Sequence, residues 1–260
     1  MISKTFFDYF QDYTNSYVII GGNAASILLH DDGQQFRATQ DYDVVVIFEN
    51  AGGDFAAKFL TFVKKYEYTA LNSGLSEDGQ KNYYRFQRYE KSGEVPVQIE
   101  LFSRKPLAYI LKSDNFKTPL HYDDGPSLSA IILNDDYYEL LKIGSQKMGN
   151  QSLLGPSALI YFKAKAHLDV RKRINAGQKI THRMDKTKHF KDVCRLCSLL
   201  PEADFDTSQV PLACQQDLKA FIMLVQDEDP KLFKGRFRSD VDFEMTQSEV
   251  ITVLKTLIPK

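Results

Sequence analysis

The chain has 260 residues, of which 43% are hydrophobic and 26% are charged, and its formal net charge is −1. This composition is that of a globular protein, and no apolar run approaches the roughly 20 residues that cross a bilayer, so we expect no membrane contact. A near-neutral chain is not a general binder of nucleic acid, and any affinity for polyanions has to be local. Three cysteines make no disulfide framework, and the N-terminus has acids where a signal peptide is apolar, which predicts a cytoplasmic location.

Apolar spacing in the first 150 residues predicts strands and helices that alternate along the chain. In chain order they are a helix at 3–13, a strand at 17–20, a helix at 23–30, a strand at 41–48, a helix at 55–66, a hairpin of strands at 82–90 and 95–102, a strand at 128–133 and a helix at 135–148. Alternation of this kind favours a mixed β-sheet flanked by helices. We therefore predict a first domain over residues 1–150.

After residue 150 the periodicity is helical, and no convincing strand intervenes. The predicted helices lie at 157–174, 185–200, 208–225 and 246–257. Gly149, Gly155 and Pro156 mark the boundary, because glycine and proline interrupt regular elements. The predicted fold class is α+β, with an N-terminal mixed sheet flanked by helices and a C-terminal helical domain over residues 151–260.

Two acids one residue apart begin the second predicted strand. Because side chains alternate along a strand, Asp41 and Asp43 project from one face while Tyr42 takes the other. Carboxylates placed in this way lie about 6–7 Å apart at their backbones, and their oxygens can converge on a divalent cation. The alternative is an exposed strand end with two solvated acids.

A glycine pair lies in the strand-to-helix turn that precedes these acids. Gly21 and Gly22 follow the apolar strand at 17–20. Without side chains the backbone can approach a ligand closely, and the start of a helix offers unpaired N–H groups that suit phosphate. Neither the dinucleotide fingerprint nor the P-loop pattern is present, so a plain turn is the alternative.

A third acid, Glu100, lies between apolar neighbours in the predicted strand at 95–102. A carboxylate inside a buried strand is costly unless a charge compensates it. A metal ion shared with Asp41 and Asp43 would compensate it, and so would a paired lysine or arginine. The sequence leaves both interpretations open.

Taken in order, the glycine turn, the paired acids and the later acid resemble the nucleotidyltransferase superfamily of DNA polymerase β. Within that superfamily the chain looks most like the AbiEii-type nucleotidyltransferases, the toxins of type IV toxin–antitoxin systems. The similar segments are Gly21-Gly22-Asn23-Ala24, the run Arg37-Ala38-Thr39 before the acids, a Lys-x-x-Ala helix at 163–166 and a Lys-His-x-x-Asp-x-x-x-Leu helix at 188–196.

The resemblance implies a set of site residues. Two Mg²⁺ ions would be bound by three catalytic acids, Asp41, Asp43 and Glu100. The nucleotide would be bound by Gly21, Gly22, Asn23, Lys163 and Asp192, although Asn23 stands where many relatives have serine or threonine. From the residues alone, Lys163 is equally part of a solvated helix face, and Asp192 is a natural i,i+4 partner of Lys188.

We therefore expect a Mg²⁺-dependent nucleotidyltransferase that moves a nucleotidyl group from an NTP to an acceptor hydroxyl and releases pyrophosphate. The resemblance to toxins implies RNA such as tRNA as the acceptor and a separate antitoxin protein as a partner. Basic residues between 171 and 191 would form a patch for a phosphate-rich acceptor, or else a solvated helix pair with its loop. Two further alternatives are an antibiotic-type enzyme that modifies a small molecule and a nucleotide-binding member of the fold without catalysis.

Overall fold

The structure is a computed structural model that describes residues 4–34, 41–47, 49–51, 53–70, 83–89, 94–102, 134–177, 185–200, 203–237 and 243–259. The chain divides into two compact units. The N-terminal unit comprises Met1–Ile27, Arg37–Asp123 and Ser145–Leu154, and the C-terminal unit comprises Leu28–Phe36, Asp124–Gly144 and Gly155–Lys260. The division into domains at residue 150 stays a prediction.

Strands of the N-terminal unit form one mixed sheet. They are β1 (Tyr17–Ile20), β2 (Asp41–Val46), β3 (Thr69–Ala70), β4 (Tyr83–Gln87), β5 (Gln98–Phe102), β6 (Ser145–Met148) and β7 (Gln151–Leu154). Within the described residues their order in the sheet is β3-β4-β5-β2-β1-β7-β6. Strand β2 is parallel to β5, β1 is parallel to β7, and the other neighbours are antiparallel. A mixed sheet with many helices confirms the predicted α+β fold class.

Aromatic side chains cover one face of this sheet. They come largely from helices α1 (Lys4–Tyr9) and α3 (Gly53–Lys65). Between these helices the chain also forms a 3-10 turn at Gln11–Tyr13 and helix α2 (Gly21–Asp31), which directly follows β1. The ring of Phe6 lies 5.3 Å from the ring of Tyr42 and 5.6 Å from that of Phe62, and all three are buried. Because Tyr42 faces this core, its neighbours in β2 face the opposite side of the sheet, and these neighbours are the two predicted metal-binding acids.

The C-terminal unit is helical. Its described helices are α4 (Asp135–Ile143), α5 (Pro156–Asn175), α6 (Asp185–Cys197), α7 (Leu212–Gln226), α8 (Pro230–Arg236) and α9 (Gln247–Thr256), with a 3-10 turn at Thr207–Gln209. Helix α5 begins with proline at its first position, is buried over residues 156–164, and packs against α6 and α7. None of the described helices is long and apolar enough to cross a membrane.

Two sequence predictions about residues 135–154 are wrong. The predicted helix over 135–148 ends at Ile143, because Gly144 closes it by donating its backbone N–H to the carbonyl of Leu140. The next residues form β6, which pairs with β7, so a strand does follow residue 150. Leu141 and Met148 are seven residues apart, which matches a helical period and conceals the turn between them.

Other predicted elements agree with the structure apart from their ends. Strand β1 has the predicted bounds, and the predicted hairpin is the pair β4 and β5. The sequence interpretation missed α8, although Asp229 and Pro230 supply its N-cap and first position. The predicted strand at 128–133 lies outside the described residues.

Candidate functional site

Side chains from four neighbouring strands meet in one row across the sheet. In the register of β4, β5, β2 and β1, Arg85 lies opposite Glu100, Glu100 opposite Asp43, and Asp43 opposite Ile20. Gly21 follows Ile20 and begins α2. The second acid of the pair, the later acid and the glycine turn therefore lie together in the sheet.

Gly21 is required at its position for two independent reasons. Its φ of +71° lies in the left-handed region, which L side chains rarely adopt. A Cβ at this residue would also overlap Oδ2 of Asp43 and lie 2.9 Å from its Cγ. The carboxylate of Asp43 thus lies directly against the backbone at the start of α2, where the helix dipole favours a negative charge.

The side chain of Asn23 fastens the glycine turn to the acidic strand. This residue is only 2% exposed, and its Nδ2 donates a hydrogen bond to the backbone carbonyl of Asp41. An amide that bridges α2 and β2 holds the turn and the strand at a fixed separation. This bridge is a structural use for Asn23, and its predicted contact with a nucleotide stays a prediction.

Glu100 is compensated by an arginine. Its Oε1 lies 2.7 Å from Nη2 of Arg85, and it accepts hydrogen bonds from Nε of Arg85 at 3.0 Å and from Nε2 of Gln98 at 2.8 Å. The sequence left two ways to compensate the charge of Glu100, a shared metal ion or a paired lysine or arginine, and the structure contains the pair with arginine. Arg85 was not among the predicted site residues. The predicted hairpin nevertheless contains the signal: if its loop is 91–94, residue 90 lies opposite residue 95, and in the same register Arg85 lies opposite Glu100.

The environment of Asp41 disfavours its charged form. Burial raises the pKa of this carboxyl, the negative charge of Glu100 raises it further, and the guanidinium of Arg85 partly offsets both effects. Asp41 and Glu100 are therefore near enough to repel each other. A cation bound between them would relieve the repulsion.

The acids fit Mg²⁺ in donor chemistry, but they do not form a complete ligand cage. Within the described ranges, no group of three or more histidine, cysteine, aspartate or glutamate side chains is arranged to hold a metal ion. Mg²⁺ keeps several waters and is commonly bound by one or two carboxylates together with phosphates of the substrate. Asp41 and Asp43 would supply the one or two carboxylates that such a site needs, whereas the carboxylate of Glu100 forms an ion pair with Arg85.

The two predicted nucleotide-binding residues of the C-terminal unit form a buried ion pair. Nζ of Lys163 on α5 lies 2.8 Å from Oδ2 of Asp192 on α6, and the side chains are 7% and 3% exposed. The alternative that Lys163 lies on a solvated helix face is therefore wrong. His189 lies beside the pair, where burial and the charge of Lys163 lower its pKa. The predicted contacts of Lys163 and Asp192 with a nucleotide stay predictions.

The predicted site residues thus belong to two groups. The three acids, both glycines and Asn23 lie in the N-terminal unit, and Lys163 and Asp192 lie in the C-terminal unit. The preceding run that contains Arg37 and Thr39 lies outside the described residues.

Comparisons with known proteins show one weak similarity. No protein-family model matches the chain, and no curated protein matches it. Among solved structures, the chain is similar to the solution structure of the antibiotic-resistance factor ANT(2'')-Ia, with 11% sequence identity, a TM-score of 0.39, and coverage of 86% of this chain and 96% of that chain. At this identity and TM-score, the neighbour transfers no residue role and no substrate. Membership of the AbiEii-type family stays a prediction.

Proposed function

We propose that this chain is a Mg²⁺-dependent nucleotidyltransferase. The observation that carries the proposal is the row across the sheet, in which Asp43 lies against the glycine turn at the start of α2 and beside Glu100. Carboxylates beside a glycine turn at a helix N-terminus suit a metal ion and a phosphate chain side by side. A row of this kind supports a reaction at phosphorus better than it supports a purely structural role.

Asp41 and Asp43 are the proposed metal-binding residues. When bound, Mg²⁺ neutralises phosphate charge and stabilises the attacking and leaving oxygens of an in-line displacement. The backbone at Gly21 and Gly22 is the proposed contact for the β- and γ-phosphates. Asn23 keeps this backbone and the acidic strand at a constant separation through its bond to the Asp41 carbonyl.

Glu100 is the proposed third catalytic acid. In the reaction, the acceptor oxygen forms a bond to the α-phosphorus, the bond from that phosphorus to the bridging oxygen breaks, and pyrophosphate leaves. Glu100 would take the proton of the attacking hydroxyl, and Arg85 and Gln98 orient its carboxylate for that step. A second Mg²⁺ held by Glu100 would share this carboxylate with Arg85.

We further propose that the acceptor is RNA and that the protein is the toxin of a toxin–antitoxin pair in the cytoplasm. The exposed cations Arg171 and Lys172 near the end of α5 support this proposal, since they form part of the basic segment at 171–191. A small-molecule acceptor is the competing proposal. Expression in cells distinguishes the two, because a toxin arrests growth and an antibiotic-modifying enzyme confers resistance.

Label transfer tests the enzymatic proposal. The protein is incubated with Mg²⁺, each of the four α-labelled NTPs in turn and a cellular RNA pool. We expect transfer from at least one NTP to RNA, release of pyrophosphate, and no transfer when the metal is chelated. Absence of transfer to RNA and to small-molecule acceptors would contradict the proposal.

A nucleotide-binding protein without catalysis is the second candidate. The observation that favours it is the pairing of Glu100 with Arg85, which occupies the third acid. Turnover separates the candidates and binding does not, because both of them bind Mg²⁺-NTP. Saturable NTP binding without pyrophosphate release would favour this second candidate.

A further inference from the structure

The C-terminal unit contains a cavity whose lining includes none of the residues predicted to bind metal or nucleotide, although it shares Arg171 with the basic segment. Its volume is about 220 Å³, and α5 supplies His167, Arg171 and Ile174, which are spaced four and three residues apart along one face of the helix. The remaining wall comes from α6, α7, α8 and the residues between α7 and α8. All of these lining residues belong to the C-terminal unit.

Two arginines line the cavity, and they differ in how their charges are compensated. Arg236 forms two parallel bonds to Glu228, with Nε–Oε1 at 2.9 Å and Nη2–Oε2 at 3.0 Å, and its guanidinium lies 5.2 Å from the ring of Phe190. Within the described part of the chain, Arg171 has no such carboxylate partner, and it is exposed. Among the described lining residues, two arginines face one glutamate, which leaves a net positive charge.

The histidine in the wall is held neutral. Burial lowers the pKa of His167 to about 4, and the nearby charges of Arg171 and Arg236 act in the same direction. Its Nδ1 has no hydrogen-bond partner among the described residues, so the tautomer with the proton on Nε2 avoids an unpaired buried N–H. The cavity thus has a fixed cation, a neutral ring donor and the neutral polar side chains of Asn175 and Thr187.

The rest of the lining is apolar. Ile174 and Leu224 contribute aliphatic surface, and Phe190 contributes a buried ring. A simple inorganic ion would leave this surface unused, whereas a ligand with both an anionic and an apolar part would contact both halves of the wall.

We propose that this cavity binds a small organic anion, with its oxyanion group on Arg171 and its apolar part against Ile174 and Leu224. Phosphate and carboxylate groups share the required chemistry, because both accept paired hydrogen bonds from a guanidinium. The proposed site is independent of the acids of the N-terminal unit and of the nucleotide.

Titration of the full chain with three probes tests the proposal, with binding followed by calorimetry and by the ¹⁵N signals of the histidine rings. The probes are phenyl phosphate, benzoate and inorganic phosphate. We expect one saturable site for phenyl phosphate or benzoate, weaker binding of inorganic phosphate, and a shift of the His167 ring signals. The tighter of the two organic probes identifies the preferred oxyanion.

Matched variants separate a built site from general surface charge. Arg171→Gln should weaken the preferred organic probe by about tenfold or more, which corresponds to about 1.4 kcal/mol. Lys172→Gln removes the adjacent exposed cation, which does not line the cavity, and should change the affinity by less than about twofold. Ile174→Ser should remove the advantage of phenyl phosphate over inorganic phosphate. Equal weakening by Arg171→Gln and Lys172→Gln, or no saturable binding at millimolar concentration, would overturn the proposal.

Discussion

The two units place charged side chains in opposite ways. In the N-terminal unit, acids cluster on one face of the sheet, where the charged form of Asp41 is disfavoured and Glu100 is paired with Arg85. In the C-terminal unit, Lys163 and Asp192 are enclosed and paired with each other at 2.8 Å. The first arrangement brings like charges close together, and the second brings opposite charges together. We infer that the first serves binding and the second holds α5 to α6.

The largest expected effect is the loss of stability when the buried pair is broken. Lys163→Met removes the cation that lies 2.8 Å from the buried carboxylate of Asp192 and should lower the free energy of unfolding by about 3–5 kcal/mol. Urea unfolding monitored by circular dichroism measures the change. The double variant Lys163→Met/Asp192→Leu should recover most of the loss, because both charges of the pair are then removed. A single variant as stable as the wild type would contradict the account of this pair.

Acid pH should destabilise the C-terminal unit through His167. Its folded pKa of about 4 lies below the value of about 6.5 in the unfolded chain, so the unfolded chain binds the extra proton between these pH values. Stability is present above pH 6.5 and should fall by about 3 kcal/mol in total as the pH drops through 4. Unfolding free energies at several pH values measure this slope.

A pair of histidine variants isolates this contribution. His167→Gln should reduce the slope in that pH window, with the contribution of His189 remaining, whereas His30→Gln, at an exposed position on α2, should leave it unchanged. If the two variants have the same slope, burial of His167 does not control the acid response.

A pair of glycine variants tests the close approach of Asp43 to the glycine turn. Gly21 and Gly33 both have positive φ, but only a Cβ at Gly21 meets the carboxylate. Each alanine variant should lose about 1–2 kcal/mol from backbone strain, and Gly21→Ala should lose about 1–3 kcal/mol more from overpacking. Thermal unfolding of both variants gives the difference.

Combining the glycine variant with a change at Asp43 sharpens the assignment. In an Asp43→Ala background the extra loss of Gly21→Ala should disappear, because the overlapping carboxylate is absent. An extra loss that persists in that background would place its cause elsewhere.

The smallest expected effect is a gain in stability at Asp41. Burial and Glu100 raise the pKa of Asp41, so its charge opposes folding at neutral pH. Asp41→Asn should therefore raise the free energy of unfolding by a few tenths of a kcal/mol, a small gain because the carboxyl group is only partly buried and solvent screens its charge. The same variant should lose nucleotidyl transfer. A clear loss of stability in chemical unfolding would instead show that Asp41 is a structural residue.

The acidic face of the sheet could be predicted from the sequence more directly than the ion pairs could. Alternation along a strand places Tyr42 opposite its two acidic neighbours, and the structure agrees because this rule depends only on the local backbone. The pairing of Arg85 with Glu100 depends on hairpin register, which the predicted loop already contained. The pairing of Lys163 with Asp192 depends on how two helices cross, and no local pattern encodes that crossing. Strand β6 was missed because Met148 continues the helical spacing of Leu141.

Transfer of an α-labelled nucleotide by matched variants tests the central claim most directly. Asp43→Asn keeps the shape of the side chain beside Gly21 but removes the charge, whereas Asp54→Asn changes an exposed acid in the first turn of α3 in the same unit. We expect the wild type and Asp54→Asn to transfer the nucleotide and release pyrophosphate. In Asp43→Asn the rate of transfer should fall by about a hundredfold or more. A loss of this size is typical when a group that stabilises transition-state charge is removed. Equal transfer by Asp43→Asn and the wild type would contradict the claim that the acidic row performs the chemistry.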